Sequence, residues 1–123
     1  MSALVHRVKD QPRQGRKLLI YFHGGHLLSG SAEDYTQIVN RYAVECDCTI
    51  LNVNYRLAPE YKAPSAVFDA YEWLLWALKP ENIEDLGIDP AHIAIMGDDA
   101  GGWMTAGVSL VLAARGESDL IRF

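Results

Sequence analysis

Two short glycine-rich segments contain the residues best suited to chemistry. They read HGGH at residues 23–26 and GDDAGG at residues 97–102, and each follows an apolar run. A strand, a G-x-nucleophile-x-G turn and a helix place one side chain on an exposed, strained elbow, and in the second segment that side chain is Asp99. Backbone N–H groups close to the elbow would form an oxyanion hole, which stabilises the negative charge that develops in acyl transfer. The residues predicted to supply these donors are Gly24, Gly25 and Ala100.

The elements that must position these segments alternate between strand and helix patterns. Apolar and β-branched runs predict strands over residues 18–23, 49–55 and 92–96. Amphipathic or apolar stretches predict helices over residues 35–46, 64–78 and 100–115. The order β-α-β-α-β-α is typical of an α/β fold, and right-handed crossovers make its three strands parallel. Their carboxyl ends then meet at one edge of the sheet, where we expect both glycine-rich turns and a ligand site.

A few local signals set the boundaries of these elements. Ser31 and Asp34 predict a capping box before the first helix, and Pro64 suits the first turn of the second helix. The third helix is almost entirely small or apolar, which predicts burial on most of its sides. The segments for which no helix or strand is predicted are residues 1–16 and the polar connection between residues 79 and 90.

Composition limits the classes of partner. A chain of 123 residues with 50% hydrophobic residues forms one globular unit, and its net charge of -5 argues against nucleic-acid and anionic-membrane partners. The longest nearly apolar stretch, residues 106–114, is too short to span a bilayer. Cys46 and Cys48 are expected to be reduced thiols rather than a disulfide or metal pair, which predicts a cytoplasmic location. We expect neither a metal nor another cofactor.

Three motifs together resemble a known family. In chain order they are HGGH at 23–26, YRLAPE at 55–60 and GDDAGG at 97–102. They are similar to the HGGG, YRLAPE and GDSAGG motifs of the hormone-sensitive-lipase-like carboxylesterases, the α/β-hydrolase fold-3 family, and the resemblance extends over about residues 17–116. It implies the N-terminal half of a three-layer α/β-hydrolase fold. Residues 1–16 would be an N-terminal extension and residues 17–123 the partial domain.

The resemblance also implies a function, and one residue departs from it. Members of the family are esterases and lipases that act on small carboxylic esters without a cofactor, through a serine nucleophile, a histidine base and an acidic residue. Here Asp99 occupies the serine position, and no histidine follows it in the chain. A carboxylate cannot be activated by proton removal as a hydroxyl can, so we expect this chain by itself to be inactive on esters.

Two of the four histidines belong to the motifs. His23 resembles the histidine that orients the oxyanion loop in the family. His26 replaces the third glycine of HGGG, which puts a titratable side chain close to Asp99. His92 is expected at a strand end far from the elbow, and His6 has no predicted role.

Two further functions remain open. Haloalkane dehalogenases and epoxide hydrolases have similar folds with aspartate at the elbow, so an aspartate-nucleophile hydrolase is one alternative. A ligand-binding pseudoenzyme, which kept a pocket and lost the chemistry, is the other.

The remaining polar and aromatic motif residues are expected to be structural. An ion pair between Arg56 and Glu60 would fix the YRLAPE loop, and Asp98 would bond nearby backbone or pair with Arg56. Core positions are expected for the tryptophans, namely Trp73, Trp76 and, with least support, Trp103. Because an apolar helix and a short sheet with unpaired edges need cover, self-association is expected as well.

Overall fold

The computed structural model describes residues 1–122, which form a four-stranded sheet with helices on both faces. The strands are Ser2–His6 (β1), Arg16–Phe22 (β2), Thr49–Asn54 (β3) and Ile88–Gly97 (β4). The helices are Thr36–Glu45 (α1), Ser65–Ala77 (α2), Pro80–Leu86 (α3) and Ala100–Arg115 (α4), followed by a short 3-10 helix, Ser118–Leu120. Across the sheet the strands lie in the order β1-β3-β2-β4.

The three strands expected from the sequence are present and parallel. β2 lies in the centre, with β3 on one side and β4 on the other, and both pairings are parallel. Leu19 of β2 stands opposite Ile50 of β3 and Ala94 of β4. Because β2 and β3 are covered on both faces, neighbouring residues along each strand are buried instead of alternating between buried and exposed.

The prediction of no element in residues 1–16 is wrong at its beginning. β1 pairs antiparallel with the outer edge of β3, from Ser2 opposite Asn54 to His6 opposite Ile50. Only His6 of this strand is buried, so its residues carry almost no periodic apolar signal. The strand is stabilised by pairing with the β3 edge, a long-range contact that local patterning does not reveal.

The core has two parts, one on each face of the sheet. On one face α2, α3 and α4 cover the sheet, with Ile20, Leu51 and Met104 fully buried between them. On the other face α1 packs Val39 and Ala43 against the sheet. This arrangement of helix, sheet and helix confirms the predicted three-layer fold.

Two helices differ from their predictions. α3 lies in the stretch expected to be a polar connection, with Pro80 in its first turn and Gly87 closing it in the left-handed conformation. A helix of seven residues with few apolar side chains gives a periodic signal that is too weak to be recognised. α4 is buried on one face only, through Gly101, Met104, Val108 and Leu112.

The outer side of α4 is exposed. Trp103 is 49% exposed and Leu110 is 73% exposed, so the expected burial on most sides of this helix is wrong for residues 1–122. None of the helices formed by these residues is both long and apolar enough to cross a membrane.

The first helix begins later than its signal. Ser31 and Asp34 do exchange hydrogen bonds, with the Asp34 N–H donating to Ser31 Oγ and the Ser31 hydroxyl donating to Asp34 Oδ2. These contacts stabilise a turn that precedes α1, which starts at Thr36.

Candidate active site

The elbow lies between the end of β4 and the start of α4. Asp99 has φ 47° and ψ -114°, a conformation that side chains rarely adopt. Glycines on both sides make the turn sterically possible. A Cβ on Gly97 would lie 2.4 Å from the backbone carbon of Gly101, and a Cβ on Gly101 would lie 1.8 Å from the carbonyl oxygen of Phe22. The close approach of α4 to β2 therefore requires glycine at both positions.

The HGGH segment comes directly after β2 and meets the elbow at the carboxyl edge of the sheet. Asp99 Oδ2 accepts hydrogen bonds from the backbone N–H groups of Gly25, at 3.1 Å, and His26, at 3.0 Å. Gly25 has φ 115°, which turns its N–H toward the elbow at a conformation suited to glycine. The structure therefore brings together the two segments that the sequence singled out.

Gly24, one of the predicted oxyanion donors, does not contact Asp99. Its N–H donates to Asp98 Oδ1 at 3.2 Å. The second N–H that contacts Asp99 is that of His26, one residue beyond the glycine pair. The direction of an N–H depends on backbone angles. His26 has φ 58°, a value that is uncommon for residues other than glycine, so the sequence does not indicate it.

Asp98, next to the elbow residue, forms hydrogen bonds with the end of β2 and with the HGGH segment. Its Oδ1 accepts hydrogen bonds from the Tyr21 hydroxyl and the Gly24 N–H. Burial, followed by this bond to Asp98, raises the pKa of Tyr21 far above its usual value, so the hydroxyl stays a donor. The prediction that Asp98 bonds nearby backbone is confirmed, and the alternative pairing with Arg56 does not form.

The local electrostatics favour the ionised form of Asp99. Backbone N–H groups of His26, Gly25 and Ala100, in that order of effect, lower the pKa of Asp99 below its ordinary value. The N-terminus of α4 adds a positive potential at the same point. His26 Nδ1 lies 3.8 Å from Asp99 Oδ2, and the imidazole is 84% exposed. The site therefore presents an exposed carboxylate that accepts hydrogen bonds from backbone N–H groups. We call the N–H groups of Gly25, His26 and Ala100 the donor ring.

His23 supports the loop from below. The side chain is 1% exposed, its Nδ1 lies 2.7 Å from the carbonyl oxygen of Gly24, and its ring stacks on Tyr55 at 4.5 Å. The Tyr55 hydroxyl donates to the backbone oxygen of His23 at 2.7 Å. These contacts keep the His23 ring buried, and they orient the backbone of the segment that carries the N–H donors.

The YRLAPE loop is fixed by a different pair from the one predicted. Arg56 contacts Asp69 of α2, through its backbone N–H and through its guanidinium Nε, each at 2.9 Å from a carboxylate oxygen. Asp69 is 1% exposed. The guanidinium of Arg56 pairs with this buried carboxylate, so the expected Arg56–Glu60 pair is wrong. The partner comes from a helix that docks beside the loop, which spacing along the chain does not indicate. The Ala58 N–H then donates to Leu27, which connects this loop to the HGGH segment.

The other candidate residues lie outside the site. His92 contacts Asp89 on an exposed part of β4, and His6 is buried with its Nδ1 2.7 Å from Asn40 Oδ1. Cys46 and Cys48 are unbridged. Among the tryptophans, Trp73 and Trp76 pack partly buried at the edge of the core, whereas Trp103 is half-exposed. Residues 1–122 contain no cluster of three side chains suited to a metal ion.

Comparison with known proteins agrees with this geometry. The family described as alpha/beta hydrolase fold matches residues 19–123. An arylesterase of Saccharolobus solfataricus is 42% identical over 99 residues, which cover 80% of this chain and 32% of the relative. An arylacetamide deacetylase of Bos taurus is 42% identical over 96 residues, covering 76% of this chain and 24% of the relative.

Solved structures give the same result. The esterase of Pyrobaculum calidifontis superimposes with a TM-score of 0.85 at 36% identity, over 94% of this chain and 36% of that one. The chain thus spans only about a quarter to a third of the length of these relatives. The motifs, the three-layer fold and the matched residues agree, and the chain belongs to the α/β-hydrolase fold-3 family.

Proposed function

We propose that this chain is the N-terminal part of a carboxylic-ester hydrolase scaffold in which Asp99 has disabled the esterase reaction. The observation that carries the proposal is the contact of Asp99 Oδ2 with the N–H groups of Gly25 and His26. In an esterase, such donors stabilise the oxyanion of a small ester substrate in the transition state. Here a side-chain carboxylate already occupies them.

The occupied donors affect catalysis in two ways. The carboxylate of Asp99 competes with a substrate carbonyl for the same N–H groups. These donors bind the charge of Asp99 in the ground state, and such an interaction does not accelerate acyl transfer. Loss of the nucleophile in a serine hydrolase costs a factor on the order of 10⁶ in turnover.

A general base is the second requirement for ester hydrolysis. In the family that the sequence resembles, the acidic residue and the histidine follow the elbow, and the relatives are about two and a half times as long as this chain. Within residues 1–122 the imidazole nearest to Asp99 is that of His26, whose backbone already serves the donor ring. Serine alone at position 99 would therefore remain a weak nucleophile.

The experiment compares three fusions of this chain to the C-terminal two thirds of the Saccharolobus arylesterase. They carry Asp99, Asp99→Ser or Asp99→Ala, and each is assayed with p-nitrophenyl acetate and butyrate. We expect only the Asp99→Ser fusion to hydrolyse the esters, by at least about 10³-fold over the Asp99→Ala fusion. The unfused chain with Asp99→Ser should stay at the buffer rate. Ester turnover by the Asp99 fusion above the alanine control would contradict the proposal.

One observation favours a second candidate, an aspartate-nucleophile hydrolase. The N–H groups of Gly25 and His26 both bind Oδ2 of Asp99, which leaves Oδ1 outside these two hydrogen bonds. Oδ1 could attack the carbon of a haloalkane, forming a C–O bond as the halide leaves with the electron pair of the C–X bond. Water, losing a proton to an imidazole, would then attack the carboxyl carbon of the Asp99 ester and release the alcohol.

The two candidates are separated by assaying the Asp99 fusion with an epoxide and with a haloalkane. Turnover together with an alkyl adduct on Asp99 in mass spectrometry would establish the second candidate and remove the first. Absence of turnover and of an adduct, with the Asp99→Ser fusion active on esters, supports the disabled esterase.

We also propose that the 123-residue chain self-associates through the outer face of α4. The exposed Leu110 and Trp103 support this, because apolar side chains on one surface favour contact with another copy. Leu110→Lys should lower the mass measured by light scattering, whereas Gln37→Lys, which adds the same charge to the exposed side of α1 on the other face of the sheet, should not. A monomeric native chain would contradict the proposal.

A further inference from the structure

A cavity lies at the end of the sheet opposite to Asp99. It has a volume of about 540 Å³, and the loop that follows β1 forms much of its wall. Arg16, at the start of β2, and Thr49, at the start of β3, complete the lining together with Leu86. Because β2 extends for seven residues between the two ends, the cavity is roughly 20 Å from the elbow.

The lining concentrates positive charge in an acidic protein. The chain carries a net charge of -5 and only 11 basic side chains, yet four of these line this one cavity. They are Arg7, Lys9, Arg13 and Arg16. Asp10 is the single acidic residue of the lining, so a positive excess remains. Clefts with one sign of charge raise the local concentration of oppositely charged ligands.

Two of these cations are fixed and two are available to a ligand. Arg16 donates to Asp47 at 2.8 Å, and Arg7 donates to the backbone oxygen of Asp85 at 3.0 Å. Within residues 1–122, the side chains of Lys9 and Arg13 form no hydrogen bond or ion pair. A guanidinium presents a planar set of donors that matches the oxygens of a phosphate, and an ammonium adds a compact positive charge.

We propose that this cavity binds a small phosphate monoester. Arg13 and Lys9 would contact the phosphate oxygens, and Arg7 would add positive potential. A volume of about 540 Å³ leaves space beside the anion for the organic part of the molecule. None of these side chains belongs to the donor ring around Asp99, so the proposal does not depend on the state of the esterase site.

The test is isothermal titration calorimetry of the full chain at low salt with glycerol phosphate, inorganic phosphate and acetate. We expect binding of both phosphates and none of acetate at the same concentrations. Arg13→Gln and Lys9→Gln should each weaken phosphate binding by about tenfold.

The matched control is Lys62→Gln, which removes one exposed positive charge far from the cavity. It should leave the affinity unchanged. Equal weakening by Lys62→Gln and Arg13→Gln would show attraction to net charge alone and would overturn the proposal. Absence of phosphate binding, or acetate binding as tight as phosphate binding, would overturn it too. Tighter binding of glycerol phosphate than of inorganic phosphate would identify the ester as the ligand, and equal binding would remove the organic part from the proposal.

Discussion

The fold around the elbow depends on the absence of one methyl group at Gly101. In Gly101→Ala the new Cβ would lie 1.8 Å from the carbonyl oxygen of Phe22, whereas ordinary contacts begin near 3.4 Å. α4 and β2 would have to separate by about 1.6 Å, since both atoms belong to backbone. A gap of that size forfeits about half of the packing energy of the side chains beneath the helix.

The cost follows from the side chains that α4 buries. Met104, Val108 and Leu112 are at most 2% exposed, and each contributes roughly 2 kcal/mol through burial. Loss of half of that total predicts destabilisation by about 3 kcal/mol for Gly101→Ala. The adjacent Gly102→Ala is the matched control, because its Cβ would meet nothing closer than 3.4 Å. It should stabilise the chain by up to about 1 kcal/mol through helix propensity.

Urea unfolding followed by far-UV circular dichroism measures both effects. The midpoint should fall for Gly101→Ala and rise slightly for Gly102→Ala, with an unchanged dependence on urea concentration. If the two variants unfolded at the same midpoint, the close approach of α4 to β2 would not be a determinant of stability, and the steric account of the elbow would be refuted.

Three further predictions concern charge and thiols. The folded pKa of Asp99 is lowered, so its carboxylate stabilises the chain above about pH 3.9, and this contribution is lost as the pH falls through the folded value. The stability difference between wild type and Asp99→Asn should therefore shrink between pH 6 and pH 3 in thermal melts, and a constant difference would contradict the linkage. Arg56→Ala removes the cation beside the buried Asp69 carboxylate and leaves it only the backbone N–H of residue 56, so the urea midpoint should fall clearly further than for the exposed Arg41→Ala. Burial raises the pKa of Cys48 to about 11, so a thiol reagent at pH 8 should label the exposed Cys46 first, and Cys46→Ser should remove the fast phase.

The sequence was sufficient where short-range patterns specify structure. The apolar runs before residues 23–26 and 97–102 predicted two parallel strands, and the glycines after them predicted turns at a common edge. Parallel strands have their carboxyl ends on the same side, so the meeting of the two segments follows from topology alone.

The sequence was insufficient where a partner from another element decides the outcome. β1 exists because β3 has an unpaired edge, and Arg56 selects Asp69 because α2 places a buried carboxylate beside it. His26 rather than Gly24 contacts Asp99 because of the backbone angles of this loop, which packs against Asp98 and Tyr55. Each of these contacts joins residues that are distant in the chain or set by packing, and neither spacing nor residue type encodes them.

The candidate site is built almost entirely from backbone, and this separates its architecture from its chemistry. The donors around the elbow are N–H groups of Gly25, His26 and Ala100, positioned by glycine turns and by the buried His23. A change of the side chain at position 99 alters what the donors bind without altering where they point. The backbone scaffold can therefore keep its geometry when the side chain at position 99 changes, and that side chain decides which group the donors bind.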